Sequence, residues 1–595
     1  MLYTMKRHIF LSVLLLCLLP LAALSEEIPL EKARQIAESF FGSGQMTRSA
    51  SGCDLRMIWD GRSPEVKSGG EAPAFYVFDN ADGPGFVIVA GDDAAKPILG
   101  YSFDSEFVVE DMPSNIKGWM DGISASVAMA RENPSAYSTS AASAGEVVLK
   151  LETAKWNQSA PYNNLCPMDG TDRSVTGCVA TSVAILLRYH KWPDAGTGTI
   201  PSYVTDTKKI GVSSITLGYE YDWDNMLLEY PRSGYSQEQA QAVARLMADC
   251  GAMLQMDYTA NASGAWSEQI PVVLHKYMKY DASAGSYTRG VYSNEEWHSM
   301  LQKELQDNGP VMYSGTAPDA GHAFILDGYT TENYYSLNWG WGGACDGYFT
   351  LDLLNPEDQG IGGATGAFSR YQSAILNVMK EQGGQPEVRG AVSAYNNVNG
   401  LEADRDSFAP GVPFMVSTGL LLNASSADYT GYIGFAVADK DMVVKEVLRY
   451  YTIQELPSNY GYHLTNIELV FNNDLEVGDQ LIAVIWDEAN QKWQHMRGDK
   501  SEGVVDAIPL YDALTIEEST SFDYSTLTKF INIKVKSGVD VKLKHPSGNI
   551  VNMETAVGIN EVSIDTSSLK SGRYCLILSK GKEYKELYFV VDNER

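Results

Sequence analysis

The sequence predicts a chain of several domains, with α+β structure in the first two thirds and all-β structure in the last third. Its 595 residues, of which 44% are hydrophobic, suffice for about three to five domains. Apolar residues recur at helical spacing near the amino terminus and again after residue 178, whereas short alternating strands dominate after residue 386. We therefore expect an α+β domain, then a larger α+β domain, then domains of the Ig-like β-sandwich class.

Residues 1–25 have the composition of a secretory signal peptide. A basic pair at 6–7 precedes an apolar stretch at 9–19 and small residues at 22, 23 and 25, so cleavage after Ser25 is expected. The apolar stretch is too short for a spanning helix of about 20 residues. Lipid attachment at Cys17 is the alternative, although Leu16 is not the small residue such a site requires before its cysteine. The sequence predicts a secreted, cell-surface or periplasmic protein without a transmembrane segment.

Residues 26–146 predict a small α+β domain. Leu30, Ala33, Ala37 and Phe40 recur at helical spacing, and short strands are expected at 75–78, 85–89 and 97–101. Small and polar residues at 135–145 form a linker that is easily cut. We expect processing near residues 140–152.

Residues 147–383 predict the central α+β domain. The apolar run that begins at Cys178 predicts a helix that ends near His190, because Pro193 cannot continue it. A second helix is expected at 236–253, and the segments around His322 and Asn338 are typical of neighbouring strands. The glycine-rich stretch 360–366 is either a loop over a cleft or a plain surface turn.

The order and spacing of three residues in this domain indicate nucleophilic chemistry. A cysteine reacts as its thiolate, and a helix N-terminus or a nearby imidazolium lowers a thiol pKa from about 8.5 to roughly 3.5–7.5. We expect both influences at Cys178. His322 and Asn338 follow Cys178 by 144 and 160 residues, close to the roughly 130–150 residues of papain-type enzymes. The alternative is an inert buried cysteine.

The other histidines fit a catalytic base less well. His190 would lie about 18 Å along the helix axis from Cys178, at 1.5 Å per residue, which excludes it. His275 and His298 have neither neighbouring glycines nor an Asn-Trp segment, and we interpret both as structural.

Four segments resemble the streptopain group of bacterial secreted cysteine peptidases, which includes interpain-like enzymes. The similarity extends over about residues 26–380. The segments are Lys155-Trp156-Asn157-Gln158-Ser159-Ala160-Pro161-Tyr162-Asn163, Thr176-Gly177-Cys178-Val179-Ala180-Thr181, Gly321-His322-Ala323-Phe324 through Asp327-Gly328-Tyr329, and Asn338-Trp339-Gly340-Trp341-Gly342-Gly343. Cys178 is not in the C-G-S-C-W setting of papain itself.

The resemblance implies a papain-like two-lobed peptidase domain with a role for each matching residue. Cys178 would be the nucleophile, His322 the general acid and base, and Asn338 the residue that orients His322. Gln158 would complete the oxyanion hole, and Trp339 would shield the His322–Asn338 hydrogen bond. For Gln158 a loop residue without catalytic role is the alternative, and for Trp339 a core aromatic.

The resemblance also implies that region 26–146 is an inhibitory propeptide, since its strand segments and residues 90–93 are similar to the streptopain prodomain. A permanent substrate-binding or chaperone module is the alternative. Protein and peptide substrates are expected, with an apolar residue two places before the cleaved bond. No metal or organic cofactor is expected, although reducing conditions should assist activity.

After residue 386 we expect one β-sandwich at 387–510 and a smaller β domain at 511–595. The segment 564–574 resembles C-terminal sorting domains but also fits any hairpin-rich Ig-like domain. The formal charge of −30 argues against nucleic acid or an anionic membrane as a partner. The seven cysteines are scattered without C-x-x-C spacing, which predicts neither a zinc site nor a dense disulfide framework.

These features together predict a secreted cysteine endopeptidase made as a zymogen. One alternative is a transglutaminase-like acyl transferase, although such enzymes normally use Asp where this chain has Asn338. The other is a surface adhesin with a degenerate peptidase domain, although the four roles at Gln158, Cys178, His322 and Asn338 are all filled.

Overall fold

The computed structural model describes residues 26–43, 54–61, 73–132 (without 94, 111 and 113), 143–351 (without 318 and 319), 370–510 (without 406, 407, 409 and 477) and strand segments between 522 and 591. The predicted signal peptide, the predicted linker up to residue 142 and the glycine-rich stretch 360–366 lie outside the described residues.

The N-terminal region forms two helices and a four-stranded antiparallel meander. Helix α1 spans Leu30–Ser43 and helix α2 spans Ser114–Glu132, and the strands are β1 (Leu55–Trp59), β2 (Phe75–Asn80), β3 (Phe86–Ala90) and β4 (Ile98–Ser102). The predicted helix and three strands are confirmed within two residues. Helix α2 was not predicted, because glycines and serines, which are poor helix formers, interrupt its apolar pattern.

The central region contributes four helices, the other strands of the same sheet, and three separate two-stranded sheets. The helices are α3 (Cys178–His190), α4 (Gln237–Met253), α5 (Ile270–Met278) and α6 (Asn294–Asp307). The strands are β5 (Val147–Lys150), β6 (Met168–Asp169), β7 (Asp172–Arg173), β8 (Thr199–Ile200), β9 (Tyr203–Val204), β10 (Gly211–Val212), β11 (Ile215–Thr216), β12 (Gly285–Thr288), β13 (Val311–Ala317), β14 (Ala320–Thr330), β15 (Tyr334–Asn338), β16 (Gly347–Thr350) and β17 (Arg370–Leu376). The three two-stranded sheets are formed by β6 with β7, β8 with β11 and β9 with β10. Short 3-10 turns occupy Trp223–Asn225, Ser267–Gln269 and Arg289–Val291.

One continuous sheet of eleven strands joins the N-terminal and central regions. Its order is β1-β2-β3-β4-β16-β15-β14-β13-β17-β12, with β5 paired to the end of β14. The join is the antiparallel pair of β4 with β16, in which Gly100 lies opposite Phe349 and Tyr101 opposite Tyr348. The two α+β regions predicted as separate domains therefore share one sheet.

Helices cover both faces of this sheet. Because successive side chains of a strand point to opposite faces, Ala323 and Ile325 of β14 pack with helices α3, α4 and α5 in the first core, whereas Phe324 and Leu326 pack with helices α2 and α6 in the second. Helix α1 covers β2, β3 and β4 on the side of the first core. The N-terminus of α3 thus lies beside the middle strands.

The predicted ends of the two long helices are confirmed. Helix α3 begins at Cys178 and ends at His190, and α4 begins after Ser236, whose hydroxyl accepts the Gln239 N–H while the Gln239 side chain accepts the Ser236 N–H. This reciprocal capping fixes the start of the helix.

Residues 390–510 form three sheets around a third apolar core. Their strands are β18 (Gly390–Tyr395), β19 (Val398–Asn399), β20 (Leu401–Ala403), β21 (Phe414–Thr418), β22 (Leu420–Asn423), β23 (Tyr429–Ala438), β24 (Val444–Leu456), β25 (Gly461–His463), β26 (Ile467–Leu469), β27 (Gln480–Asp487), β28 (Lys492–His495), β29 (Arg497–Gly498) and β30 (Ala507–Pro509), with a 3-10 turn at Lys500–Glu502.

The last segment contributes two four-stranded sheets. Their strands are β31 (Phe522–Ser525), β32 (Phe530–Lys534), β33 (Asp540–Lys544), β34 (Ile550–Val551), β35 (Ala556–Gly558), β36 (Glu561–Asp565), β37 (Gly572–Lys580) and β38 (Glu583–Val591). The described part of the chain after residue 386 is thus built mainly of β-strands, as predicted.

Candidate active site

Cys178 is the first residue of helix α3, and the residue before it has to be glycine. Gly177 has φ +84°, and a Cβ there would lie 2.7 Å from the Ser263 carbonyl oxygen and 2.8 Å from the Met256 sulfur. Only glycine adopts this backbone without strain and leaves room for both neighbours. The close approach seats the start of α3 against the 256–263 loop.

The backbone N–H groups of Ala323, Val179 and Cys178 itself lie near the Cys178 thiol. These donors favour the thiolate and lower the pKa, yet desolvation outweighs them, and the pKa of Cys178 is raised above its ordinary value. The expected depression of this pKa is therefore not met in the structure, where the N-terminal region is in place. The thiol is held in its neutral form.

His322 lies on strand β14, directly before Ala323, and is buried. Burial lowers its pKa to about 4, because desolvation disfavours the imidazolium. Burial thus shifts the pKa values of Cys178 and His322 toward the neutral thiol and the neutral imidazole, which does not favour the thiolate–imidazolium pair expected from the sequence. The chain nevertheless brings the two residues to contacting elements, α3 and β14.

Gln158 is 4% exposed, and its Nε2 has no hydrogen-bond partner among the described residues. Its backbone carbonyl accepts the Thr176 N–H at 3.1 Å, which ties the Gln158 loop to the segment that enters α3. A buried donor without a partner is rare and costly. This amide is therefore available to an acceptor that is not part of the chain.

Asn338 ends strand β15, and its amide is engaged on both sides. Nδ2 donates to Thr153 Oγ1 and to the Ala154 carbonyl, both at 3.0 Å, and Oδ1 accepts the Gly340 N–H at 3.1 Å. The residue is 2% exposed. Strand β15 pairs with β14, which places Asn338 opposite Ile325, three residues from His322.

Trp339 is fully buried in the second core. Its Nε1 donates to the Cys345 carbonyl at 3.1 Å, its backbone N–H donates to Asp346, and its ring packs against Phe324 and Trp119. Trp119 belongs to helix α2, so the N-terminal region contacts the residue next to Asn338. Burial, together with the nearby charge of Asp327, raises the pKa of Asp346 to about 7.

Sequence reasoning missed two residues that touch Asn338 or its support. Thr153 binds Asn338 directly, and Asp327 accepts the Thr153 hydroxyl. Asp327 lies in a segment that resembles the streptopain group, although no role followed from that resemblance. Thr153 carried no signal in the sequence, because a lone threonine after a short strand has many possible uses.

Three other described histidines have structural partners, and the described cysteines form no disulfide. His190 contacts the Tyr280 hydroxyl and the Asn308 carbonyl, His275 contacts the Tyr280 carbonyl, and His298 contacts the Tyr335 hydroxyl. Cys166, Cys178, Cys250, Cys345 and Cys575 are free thiols. The described ranges hold no group of three or more His, Cys, Asp or Glu side chains suited to a metal ion.

Comparison with known proteins identifies the family. Residues 156–349 match the Peptidase C10 family, and residues 23–127 match the Spi protease inhibitor family. Streptopain of Streptococcus pyogenes serotype M1 is 35% identical over 346 residues, which cover 54% of this chain and 85% of streptopain. The chain belongs to the streptopain family of cysteine peptidases.

Other relatives of the streptopain family differ in how much they share with this chain. The thiol protease/hemagglutinin PrtT of Porphyromonas gingivalis is 32% identical over 393 residues, which are 63% of this chain and 44% of PrtT. A solved fragment of Prevotella intermedia prointerpain A is 32% identical and covers 55% of this chain and 99% of its own, with a TM-score of 0.45. The chain thus spans less than half of PrtT but nearly all of the prointerpain fragment.

The family membership confirms that the protein is a cysteine-type peptidase with an inhibitor-like prodomain. The predicted classes of substrate, namely proteins and peptides, agree with it. No helix among the described residues has both the length and the apolar composition needed to cross a bilayer.

Proposed function

We propose that this chain is a secreted cysteine endopeptidase, made as a zymogen, with Cys178 as its nucleophile. The observation that carries the proposal is the set of backbone N–H groups around the thiol, from Cys178, Val179 and Ala323. Such donors stabilise a thiolate once it forms. The Cys178 N–H is also available to the oxyanion that develops when the thiolate attacks a peptide carbonyl.

In the proposed mechanism His322 pairs with the thiolate and then protonates the leaving amine, after which water hydrolyses the thioester. Asn338 accepts the N–H of the far imidazole nitrogen through Oδ1, and Trp339 keeps water from that bond. The neutral forms in which burial holds Cys178 and His322 fit an inactive precursor. Activation then requires the two groups to pair.

Gln158 completes the proposed oxyanion hole. Its buried and unpartnered Nε2 supports this role, because a donor fixed in advance at the site of developing charge costs no reorganisation during the reaction. The carbonyl of Gln158 binds Thr176, two residues before Cys178. One hydrogen bond therefore links the two segments that supply the oxyanion donors.

We assign residues 1–25 to a signal peptide, 26–146 to the inhibitory propeptide, 147–383 to the catalytic domain, 387–510 to a β-sandwich and 511–595 to a small β domain. A papain-like division into two lobes is supported by the separate apolar cores on the two faces of the sheet. The third core supports the sandwich assignment. The signal peptide accounts for secretion.

The test uses purified chain beginning at Glu26, incubated with casein and dithiothreitol and followed by mass spectrometry of both proteins. We expect the unmodified chain to cut casein and to lose its N-terminal region, whereas Cys178→Ala and His322→Ala do neither. Cys575→Ala and His275→Ala are the matched controls. They keep activity, because Cys575 contacts the Leu576 carbonyl and His275 contacts the Tyr280 carbonyl, and neither partner is a proposed site residue.

Addition of an amine acceptor distinguishes hydrolysis from transglutaminase-like acyl transfer, since such transfer attaches the amine to a glutamine side chain of casein, releases ammonia and cuts no peptide bond. Casein cleavage by Cys178→Ala would overturn the nucleophile assignment. Absence of cleavage by the chain even after removal of residues 26–146 would favour the adhesin alternative.

A further inference from the structure

The hydrogen-bond partners of the Asn338 side-chain amide fix its orientation. Nδ2 carries two hydrogens, and these go to Thr153 Oγ1 and the Ala154 carbonyl, while Oδ1 accepts from Gly340. An amide oxygen has two lone pairs, so Oδ1 can accept one more N–H. The amide cannot turn over without placing Oδ1 against the Ala154 carbonyl, where two acceptors would face each other.

The Thr153 hydroxyl is itself held in one direction. It donates to Asp327 Oδ2 at 2.5 Å, and because a hydroxyl has a single hydrogen, its oxygen must accept from Asn338. Asp327 is 1% exposed, and Lys150 Nζ lies 2.6 Å from its Oδ1 as an ion pair. A carboxylate beside a cation can only accept hydrogen bonds. The ion pair with Lys150 therefore makes Asp327 the acceptor for the Thr153 hydroxyl, and this in turn makes the Thr153 oxygen the acceptor for the Asn338 amide.

The backbone builds this chain of contacts from strands that are close in space and distant in sequence. Strand β5 pairs with the end of β14, with Lys150 opposite Gly328, and the Leu151 N–H donates to the Asp327 carbonyl at 2.7 Å. The segment 151–154 then passes beneath the end of β15, where Asn338 lies. All of the side chains except that of Lys150 are buried.

We propose that Thr153 and Asp327 are positioning residues of the peptidase, which hold the Asn338 amide with its oxygen toward the imidazole of His322. The proposal rests on the proposed function, in which Asn338 orients His322. Without the Thr153 hydroxyl, one Nδ2 hydrogen has no acceptor and the amide can reverse. A reversed amide presents N–H to N–H and no longer supports the imidazolium.

A consequence concerns processing. Lys150 and Thr153 lie after the linker, and the Thr331 N–H donates to the Glu146 carbonyl, which secures the start of β5. A mature enzyme that began after Lys150 would lack the cation beside buried Asp327. The proposal therefore narrows the processing site, expected at 140–152, to positions before Lys150.

The experiment measures kcat and KM of processed Thr153→Val, Thr153→Ser and Asp327→Asn with a peptide substrate. It also follows alkylation of Cys178 by iodoacetamide against pH, which reports the thiolate–imidazolium pair without peptide hydrolysis. We expect Thr153→Val to lose about 10- to 100-fold in kcat, the range for outer partners of metal-bound histidines, with KM within about twofold. Its alkylation rate at acidic pH falls in parallel.

Thr153→Ser keeps the hydroxyl and restores kcat to within about threefold of the unmodified enzyme. Asp327→Asn loses activity as Thr153→Val does, because an amide at that position can donate to Thr153 and reverse the hydroxyl. The matched control is Thr205→Val, which removes another buried threonine hydroxyl, one that accepts the Ile210 N–H, and leaves both readouts unchanged.

The outcomes separate this inference from the proposed function. An unmodified enzyme that shows no alkylation of Cys178 at acidic pH contradicts the proposed function itself. The positioning role alone is overturned if the unmodified enzyme is alkylated at Cys178 at acidic pH and the Thr153→Val enzyme has the same kcat and the same alkylation profile. Should Thr153→Val not fold, Asp327→Asn and Lys150→Met, which alters a half-exposed side chain, provide the same comparison.

Discussion

At the scale of single residues, the Gln158 side-chain N–H has no acceptor within the part of the chain that the structure describes. An unsatisfied buried polar group costs about 1–3 kcal/mol of folding free energy. This unsatisfied donor precedes Cys178 by 20 residues, and the backbone carbonyl of the same residue binds Thr176, two residues before helix α3. Such a residue is expected to serve catalysis at the expense of stability.

The first prediction follows from this contrast between the catalytic use of Gln158 and its cost in stability. Gln158→Ala removes the proposed oxyanion donor and should lower kcat by about 10²–10³-fold, while the midpoint of thermal unfolding stays equal or rises because an unsatisfied donor is lost. Steady-state kinetics and calorimetry on the same preparation check both parts. Gln302→Ala, which removes a partly buried glutamine bound to Asn333, is the control and keeps kcat. A Gln158→Ala enzyme with full kcat contradicts the oxyanion role.

The second prediction concerns the Cys178 thiol before processing. Its pKa is raised by burial, so the thiolate fraction of the unprocessed chain is small at neutral pH and grows only as pH rises beyond the ordinary thiol range. We expect iodoacetamide to label Cys178 slowly at pH 6–7 and increasingly fast at alkaline pH. Labelling followed by peptide mass spectrometry measures the rate, and Cys178→Ala identifies the peptide. Fast labelling of the unprocessed chain at pH 6 would contradict it.

At the scale of elements, the start of helix α3 depends on the conformation of one glycine. Gly177 combines a positive φ with two contacts that a Cβ would violate. A left-handed residue other than glycine costs about 1–2 kcal/mol, and forcing an extra methyl group into a packed site adds about 1–3 kcal/mol. The position of Cys178 therefore depends on the absence of a Cβ atom at residue 177.

The third prediction compares two glycines. Gly177→Ala should destabilise the protein by about 2–5 kcal/mol and reduce activity further, because α3 shifts away from Ala323 and His322. Gly170 has φ +65° but no atom within 4 Å of its Cβ position. Gly170→Ala should therefore lower the free energy of unfolding only by the cost of placing alanine in this backbone conformation. Denaturant unfolding of both variants gives the difference. Equal destabilisation by the two substitutions would show that the contacts at Gly177 do not matter.

Much of the element scale could be predicted from the sequence. Apolar spacing and Pro193 set the ends of helix α3, and alternating residues set β2, β3 and β4 within two residues. Helix α2 was not predicted, because Gly118 and Gly122 interrupt its apolar spacing. Packing of the helix on the sheet outweighs the low helix propensity of these glycines. The site residues with a motif were named, whereas Thr153 was not, since its role depends on two strands that only the fold brings together.

At the scale of the whole molecule, the prodomain is an extension of the catalytic sheet and also covers one of its faces. Strand β4 pairs with β16, and Trp119 of helix α2 packs on Phe349 with ring centroids 4.7 Å apart. A Cβ at Gly100 would lie 2.4 Å from Cδ1 of Phe349. Docking of the prodomain thus requires the absence of a side chain at one position of β4.

The fourth prediction tests this docking. Gly100→Ala should separate β4 from β16 and speed self-processing several-fold, while kcat of the processed enzyme is unchanged because residue 100 is lost with the propeptide. A time course of chain length on gels, followed by kinetics of the product, measures both. Gly42→Ala, whose Cβ meets nothing within 4 Å, is the matched prodomain control. Unaltered processing of Gly100→Ala would mean that the strand pair does not govern release.

The β-strand region that follows residue 386 also contacts the catalytic region. The Arg389 guanidinium lies 3.8 Å from the centre of the Tyr287 ring and donates to the Ser286 carbonyl, and Arg497 pairs with Glu296. Desolvated cation–π contacts are worth about 2 kcal/mol each, whereas exposed ion pairs contribute less than about 1 kcal/mol. Arg389 therefore contributes more to this contact than Arg497.

The pairing of β4 with β16 has a consequence for the order in which the chain folds. Tyr101 and Tyr348 are direct neighbours in the sheet although about 250 residues separate them along the chain. Contacts of such high sequence separation form late and slowly, because the entropy of closing the loop is lost before any contact is gained. While the chain is being synthesised, the meander β1–β4 presents an unpaired edge until β16 has emerged. Export of the chain in an unfolded state, before this edge is closed, is therefore compatible with the topology of the sheet.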